Sequence, residues 1–105
     1  ASEARRKISD CEAQDLSNIA WAFAKLAIVH YTLLDAISEE AIKKIHDFQA
    51  QNLTNTAWAF STLALPNRPL MSAIASAALK KCSDFTPQNL GNTAWSFAVR
   101  TVENQ

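Results

Sequence analysis

The stretch QNLTNTAWAF at residues 51–60 is written three times in this chain, appearing also as QDLSNIAWAF at 14–23 and QNLGNTAWSF at 88–97, each copy 37 positions from the last. Sliding the sequence by that period aligns it without gaps: Trp21, Trp58 and Trp95 coincide, as do Phe23, Phe60 and Phe97. The match runs on outside the phrase, with Ile37 on Ile74, Ala41 on Ala78, and Lys43-Lys44 on Lys80-Lys81 and on Arg6-Lys7. A 37-residue period holds two short helices and two turns. That is the mark of an α-solenoid, whose units stack because none can bury its apolar face alone.

Within the phrase, Leu53, Ala57, Phe60 and Ala64 fall on one helical face, and define a helix A. In the third copy Thr86 is placed to cap that helix and Pro87 suits its first position, where a missing N–H costs nothing. Leu34, Ile37, Ala41 and Ile45, matched by Met71, Ile74, Ala78 and Cys82, give a helix B. ALPNRP at 64–69 reads as the turn between them, since its prolines disfavour continued helix. The spacing predicts B over about 1–8, A over 13–27, B over 32–46, A over 50–64, B over 69–82 and A over 87–101. The expected fold is all-α, an α-solenoid of about three 37-residue helix-turn-helix repeats forming a single helical-repeat domain over 1–105. Its units span about 10–46, 47–83 and a partial 84–105, after the end of a preceding helix B at 1–9.

Composition agrees. Of 105 residues 49% are hydrophobic and one is glycine, which suits packed helices better than a turn-rich β fold or a disordered chain. Ten basic against ten acidic residues leave no net charge, so the long-range field that draws a protein to nucleic acid or anionic lipid is missing. The longest apolar stretch, IAWAFAKLAIV, is about half a bilayer span and carries Lys25; no membrane span is expected. No charged-then-apolar leader opens the chain at Ala1, which fits either a removed targeting segment or a piece of a longer protein. Neither end carries a polar capping helix, so both end faces are expected to be covered by further repeats or by a partner.

With the phrase on helix A, DFTPQNLGNTAWSFA at 84–98 and DFQAQNLTNTAWAFSTL at 47–63 resemble the signature of the octotricopeptide repeats and their 37-residue relatives, the heptatricopeptide repeats. Those are α-solenoid families of algal and protist organelles. The resemblance implies single-stranded RNA binding in a plastid or mitochondrion.

Comparison of the three copies sorts the polar residues. Gln14, Asn18 and Trp21, with Gln51, Asn55, Trp58 and Gln88, Asn92, Trp95, do not change between copies and lie off the apolar stripe. They are expected to form the seam between repeats, with base stacking on the tryptophans as the alternative. Asp15/Asn52/Asn89 and Ile19/Thr56/Thr93 do change, on another face of helix A. Asp15, Asn52, Asn89, Thr56 and Thr93 are therefore candidates for contact with RNA or a partner. Seven of the ten basic residues cluster at the ends of the B helices. Arg6, Lys43, Lys44, Lys80 and Lys81 would stack into a ladder with a rung about every 10 Å, able to follow a phosphate backbone or merely to complement helix dipoles.

Chemistry beyond binding finds no support. Cys11 and Cys82 take slots filled elsewhere by Phe and Ile and read as small buried hydrophobes. His30 and His46 align with Asn67 and Ser83, so neither a metal site nor a cofactor is expected. The adjacent Glu39-Glu40 pair has no copy in the next unit, and adjacent helical residues point about 100° apart. An enzyme is not expected. The favoured expectation is a scaffold or adaptor subunit making protein contacts in a larger organellar assembly. The alternative is a single-stranded RNA-binding module of an organellar RNA-processing, translation or ribosome factor.

Overall fold

A computed structural model describes residues 7–65 and 67–103. Five helices follow in order: α1 (Ala13–Lys25), α2 (Tyr31–Lys43), α3 (Ala50–Thr62), α4 (Arg68–Lys80) and α5 (Pro87–Glu103). Residues 7–9 are also helical, and there is no strand among the described residues. The architecture is all-helical and of the helical-repeat kind. The expected first helix B falls largely outside the described residues, as do Arg5, Arg6 and Pro66 of the expected turn.

α1, α3 and α5 lie side by side in one layer, while α2 and α4 form a second layer behind them. Between the layers Leu16, Ala20, Leu34, Ile37, Ala41, Phe48, Leu53, Ala57, Phe60, Leu70 and Ile74 are all buried. Most are the positions that the helical periodicity assigns to the inner faces; on α4 the buried stripe is Leu70, Ile74 and Ala77, not the expected Met71, Ala78 and Cys82, and Ala64 is exposed because it lies in the turn after α3. Burying such side chains is worth about 1.5–3 kcal/mol apiece, and none of the short helices would persist in water without it.

Helix starts follow local capping chemistry. The side chains of Glu12 and Gln49 accept from the backbone N–H three residues on, while Asp15 and Asn52 accept from the N–H of Glu12 and Gln49. Thr86 and Asn89 exchange the same two bonds at 3.0 and 3.1 Å. Each pair is a reciprocal capping box. On the B helices the side chains of His30 and Asn67 accept from Leu33 N–H and Leu70 N–H.

Helix ends differ from the expected ones. α1 and α3 stop at Lys25 and Thr62 because Ala27 and Ala64 turn left-handed, with φ of 55° and 57°. Ile28 N–H then donates to Phe23 O at 2.9 Å and Leu65 N–H to Phe60 O at 3.0 Å, closing a Schellman turn without the usual glycine. α2 and α4 end at Lys43 and Lys80, and a single 3-10 turn follows each, at Ile45–Asp47 and Cys82–Asp84.

Candidate functional site

The α1–α3–α5 layer shows the solvent a grid of amides and indoles. On α1 Gln14, Asn18 and Trp21 are exposed, and Gln88, Asn92 and Trp95 are exposed on α5. On the central helix Gln51 is exposed, while Asn55 and Trp58 are half-covered. Gln14 donates to Asn18 at 3.0 Å and Gln51 to Asn55 at 2.8 Å, so the i, i+4 amides order one another along α1 and α3. The indoles form a row across the helices: Trp21 and Trp58 have ring centroids 6.5 Å apart with planes tilted by 35°. Trp21 keeps 42% of its surface and Trp95 47%. Lys25 continues the stripe and sits with Nζ 5.5 Å from the Trp21 ring centre, within cation–π range.

The changing positions lie elsewhere than expected. Asn52 and Asn89 are buried at 5% and 6% exposure. Each amide reaches back to the preceding helix: Asn52 Nδ2 donates to Gln14 Oε1 at 3.2 Å and to Ser17 Oγ at 3.3 Å, and Asn89 Nδ2 donates to Gln51 Oε1 at 3.1 Å. Thr56 is buried and donates to Asn52 O, and Thr93 shares a 3.1 Å hydrogen bond with Thr54. The expectation that Asn52, Asn89 and Thr56 meet a ligand is therefore corrected: the neighbouring helix already engages the two asparagines, and buried Thr56 bonds its own helix; Thr93 is half-buried and engaged with Thr54. Asp15 remains exposed. A signal was present in the sequence: an Asp or Asn three residues after Glu12, Gln49 and Thr86 marks the capping-box position.

The basic ladder divides into two rows. Lys44 Nζ donates to the backbone carbonyls of Ser9 and Cys11 at 2.8 and 2.6 Å and pairs with Glu40 at 3.3 Å. One unit later Lys81 Nζ donates to the carbonyls of His46, at 2.8 Å, and Phe48. These two lysines clamp one unit's turn to the next. Lys43 and Lys80 point to solvent, Lys43 with only a 3.9 Å contact to Glu40, and Arg6 lies outside the described residues. The fold thus takes one lysine from each of these two rungs and leaves Lys43 and Lys80 outside.

Cys11 is half-buried, with its thiol 3.4 Å from Lys7 O. Burial, then the negative charge of Asp15, pushes its pKa above the usual thiol value. Cys82 is exposed rather than buried: α4 packs on the turn that holds its counterpart Ile45, and among the described residues no helix packs in that way on the Cys82 turn. Among the described residues no cluster of metal-ligating side chains forms, and no helix is long and apolar enough to cross a membrane.

Stacked helix pairs of this kind define a helical-repeat architecture. The model of the family described as RNA-editing substrate-binding complex 6 protein (RESC6) matches residues 1–105, and the chain belongs to that family. Its description is that of a component of a binding complex, and the chain is a non-catalytic subunit in an organellar RNA-processing setting. No curated protein and no solved structure matches the chain. The match overturns the octotricopeptide and heptatricopeptide resemblance. The physical reason lies in what the shared phrase encodes: capping, an inner stripe of Leu, Ala and Phe, and an inter-helix amide are demands of stacking short helices, whatever the family.

Proposed function

We propose that this chain is a single-stranded RNA-binding module of a mitochondrial RNA-editing substrate-binding assembly, and that its contact surface is the amide and indole grid on α1, α3 and α5. One observation carries the reading: three equivalent tryptophans stand in a row on a surface, two of them more than two-fifths exposed. Exposed indoles give up burial energy that the core could use, and they offer flat faces on which bases of any sequence stack. Beside the two exposed rings, Asn18 and Asn92 are exposed, and an Asn amide can donate to and accept from base edges. The fold that presents them is an α-solenoid of 37-residue helix-turn-helix units forming one domain over 1–105. The family's description, with RNA editing substrate in its wording, supports the choice of ligand.

The test uses the chain's own fluorescence, because all three tryptophans belong to the grid. Titration with an unstructured single-stranded RNA should quench it. Trp21→Ala and Trp95→Ala should each weaken binding by about 1–3 kcal/mol, roughly five- to 150-fold. Lys25 is the cation on this stripe, so the plot of log K against log salt should be shallow, about −0.7 to −1.4. Absence of quenching would refute the reading. A steep slope abolished by Lys43→Gln with Lys80→Gln would place RNA on the outer lysines instead.

A further inference from the structure

The amides of the grid are wired in one direction. At the start of α3 the backbone N–H of Gln49 donates to Asn52 Oδ1 at 3.0 Å. A backbone N–H can only donate, so the amide oxygen of Asn52 is held toward it and the NH2 group is turned to α1. There Asn52 Nδ2 donates to Gln14 Oε1 at 3.2 Å, which leaves the NH2 of Gln14 to donate to Asn18 Oδ1 at 3.0 Å. Asn18 ends this relay with its oxygen engaged, and its Nδ2 makes no hydrogen bond to another described residue. The next unit repeats the wiring. Thr86 N–H holds Asn89 Oδ1 at 3.1 Å, Asn89 Nδ2 donates to Gln51 Oε1 at 3.1 Å, and Gln51 Nε2 donates to Asn55 Oδ1 at 2.8 Å. Asn18 and Asn55 stand three residues before Trp21 and Trp58, on the same helical faces. Asn55 keeps part of its surface with a helix on either side.

We propose that this wiring makes the grid a reader of base carbonyls, selecting the keto bases uracil and guanine over cytosine and adenine. The inference rests on the RNA reading of the grid and adds a specificity to it. A base stacked on an indole turns its edge to the asparagine beside the ring, and that edge meets an N–H donor. The O4 of uracil and the O6 of guanine accept from it, whereas cytosine and adenine carry an amino group at the equivalent position, and two donors do not pair. Stacking itself is indifferent to the base, so the amides supply the choice. Asn52 and Asn89 are buried in the seam and act as positioning residues, setting the surface amide through Gln14 and Gln51. An aspartate at the cap still accepts from the backbone N–H, as Asp15 does from Glu12 N–H at 3.0 Å, but has no hydrogen to give to the glutamine. It would draw in the NH2 of Gln14, turn Gln14 Oε1 toward Asn18 and bring the oxygen of Asn18 to the surface.

Oligo(U) and oligo(C) of equal length at neutral pH test the choice, because their rings are of one size and one carries a carbonyl where the other carries an amino group. Tryptophan quenching should show the full chain binding oligo(U) more tightly by about three- to tenfold. In Asn52→Asp with Asn89→Asp the order should reverse, although neither residue lies on the surface. Asn18→Asp with Asn55→Asp makes the same change directly: the carboxylates still accept from Gln14 and Gln51 but offer only acceptors outward. That variant should also favour oligo(C), whatever its added charge does to both affinities. Equal binding of the two oligomers by the wild type, or an unchanged preference in either variant that melts like the wild type, would overturn the inference and leave the RNA reading standing. No quenching by either oligomer would remove both.

Discussion

Adjacent lysines at the end of α4 give the sharpest test of how the units are joined. Lys81 makes two charge-assisted hydrogen bonds to carbonyls of the preceding turn, His46 O at 2.8 Å and Phe48 O, whereas Lys80 is exposed. Hydrogen bonds to charged groups contribute about 1.5–3 kcal/mol each. Lys81 is half-exposed, so water can take over part of its role at the carbonyls, and the net loss in Lys81→Met should be nearer 2 kcal/mol for both bonds together. For a domain of this size that corresponds to a fall in Tm of roughly 8–16 °C. Lys80→Met removes a solvated charge and should stay within about 0.5 kcal/mol. Thermal melts followed by far-UV circular dichroism distinguish the two, with urea midpoints as the check. Equal shifts for the two variants, or a Lys81→Met melt within a degree of wild type, would refute the clamp. Retention of most of the stability in Lys81→Arg would fit it, since a guanidinium can still reach a carbonyl.

Three further outcomes follow from the same geometry. Asn52→Ala removes both a capping acceptor and a buried donor to Gln14 and Ser17, and should cost about 2–3 kcal/mol; Asp15→Ala removes an exposed cap and should cost about 0.5–1 kcal/mol in the same urea titration. Ala27→Gly and Ala64→Gly relieve left-handed φ values of 55° and 57° and should each raise the urea midpoint, by about 0.5–1 kcal/mol in stability; a lowered midpoint would contradict the turn. The Cys11 thiol, its pKa raised by burial and then by Asp15, holds less thiolate than an ordinary cysteine at any pH below that pKa, so its alkylation by iodoacetamide should lag behind that of exposed Cys82 and accelerate only at more alkaline pH.

The helical layout was legible because repetition and periodicity report the same thing, the burial of one stripe per helix. Leu16, Leu34, Ile37, Leu53 and Phe60 stand in the core where spacing places them. The helix ends were less legible, since Ala27 and Ala64 adopt a conformation that the sequence would advertise only with glycine. The polar faces were the least legible. Variation between copies suggested a surface, yet Asn52 and Asn89 are buried; the unchanging Gln14 and Gln51 bond the next helix while Trp21 and Trp95 keep large exposed faces. Lys43 and Lys44 look alike as letters, but one residue of helix rotates a side chain by about 100°, enough to send one ammonium to solvent and the other to the carbonyls of Ser9 and Cys11.

The difference between changing and unchanging positions has a physical logic. A seam position answers to its neighbour, and the neighbour differs from unit to unit: Thr56 lies against α1 and is buried, while Thr93 bonds Thr54 of α3. Such positions change as the stack proceeds. The stripe of Gln, Asn and Trp meets the same partner in successive units: Gln14 and Gln51 accept from Asn52 and Asn89 of the next helix, and Trp21 lies against Trp58. Stacking thus accounts for the constancy of the glutamines, but not for indoles that keep 42% and 47% of their surface, as Trp21 and Trp95 do. On the RNA reading proposed above, those left-over faces are the ones on which successive bases would stack, one repeat to each base.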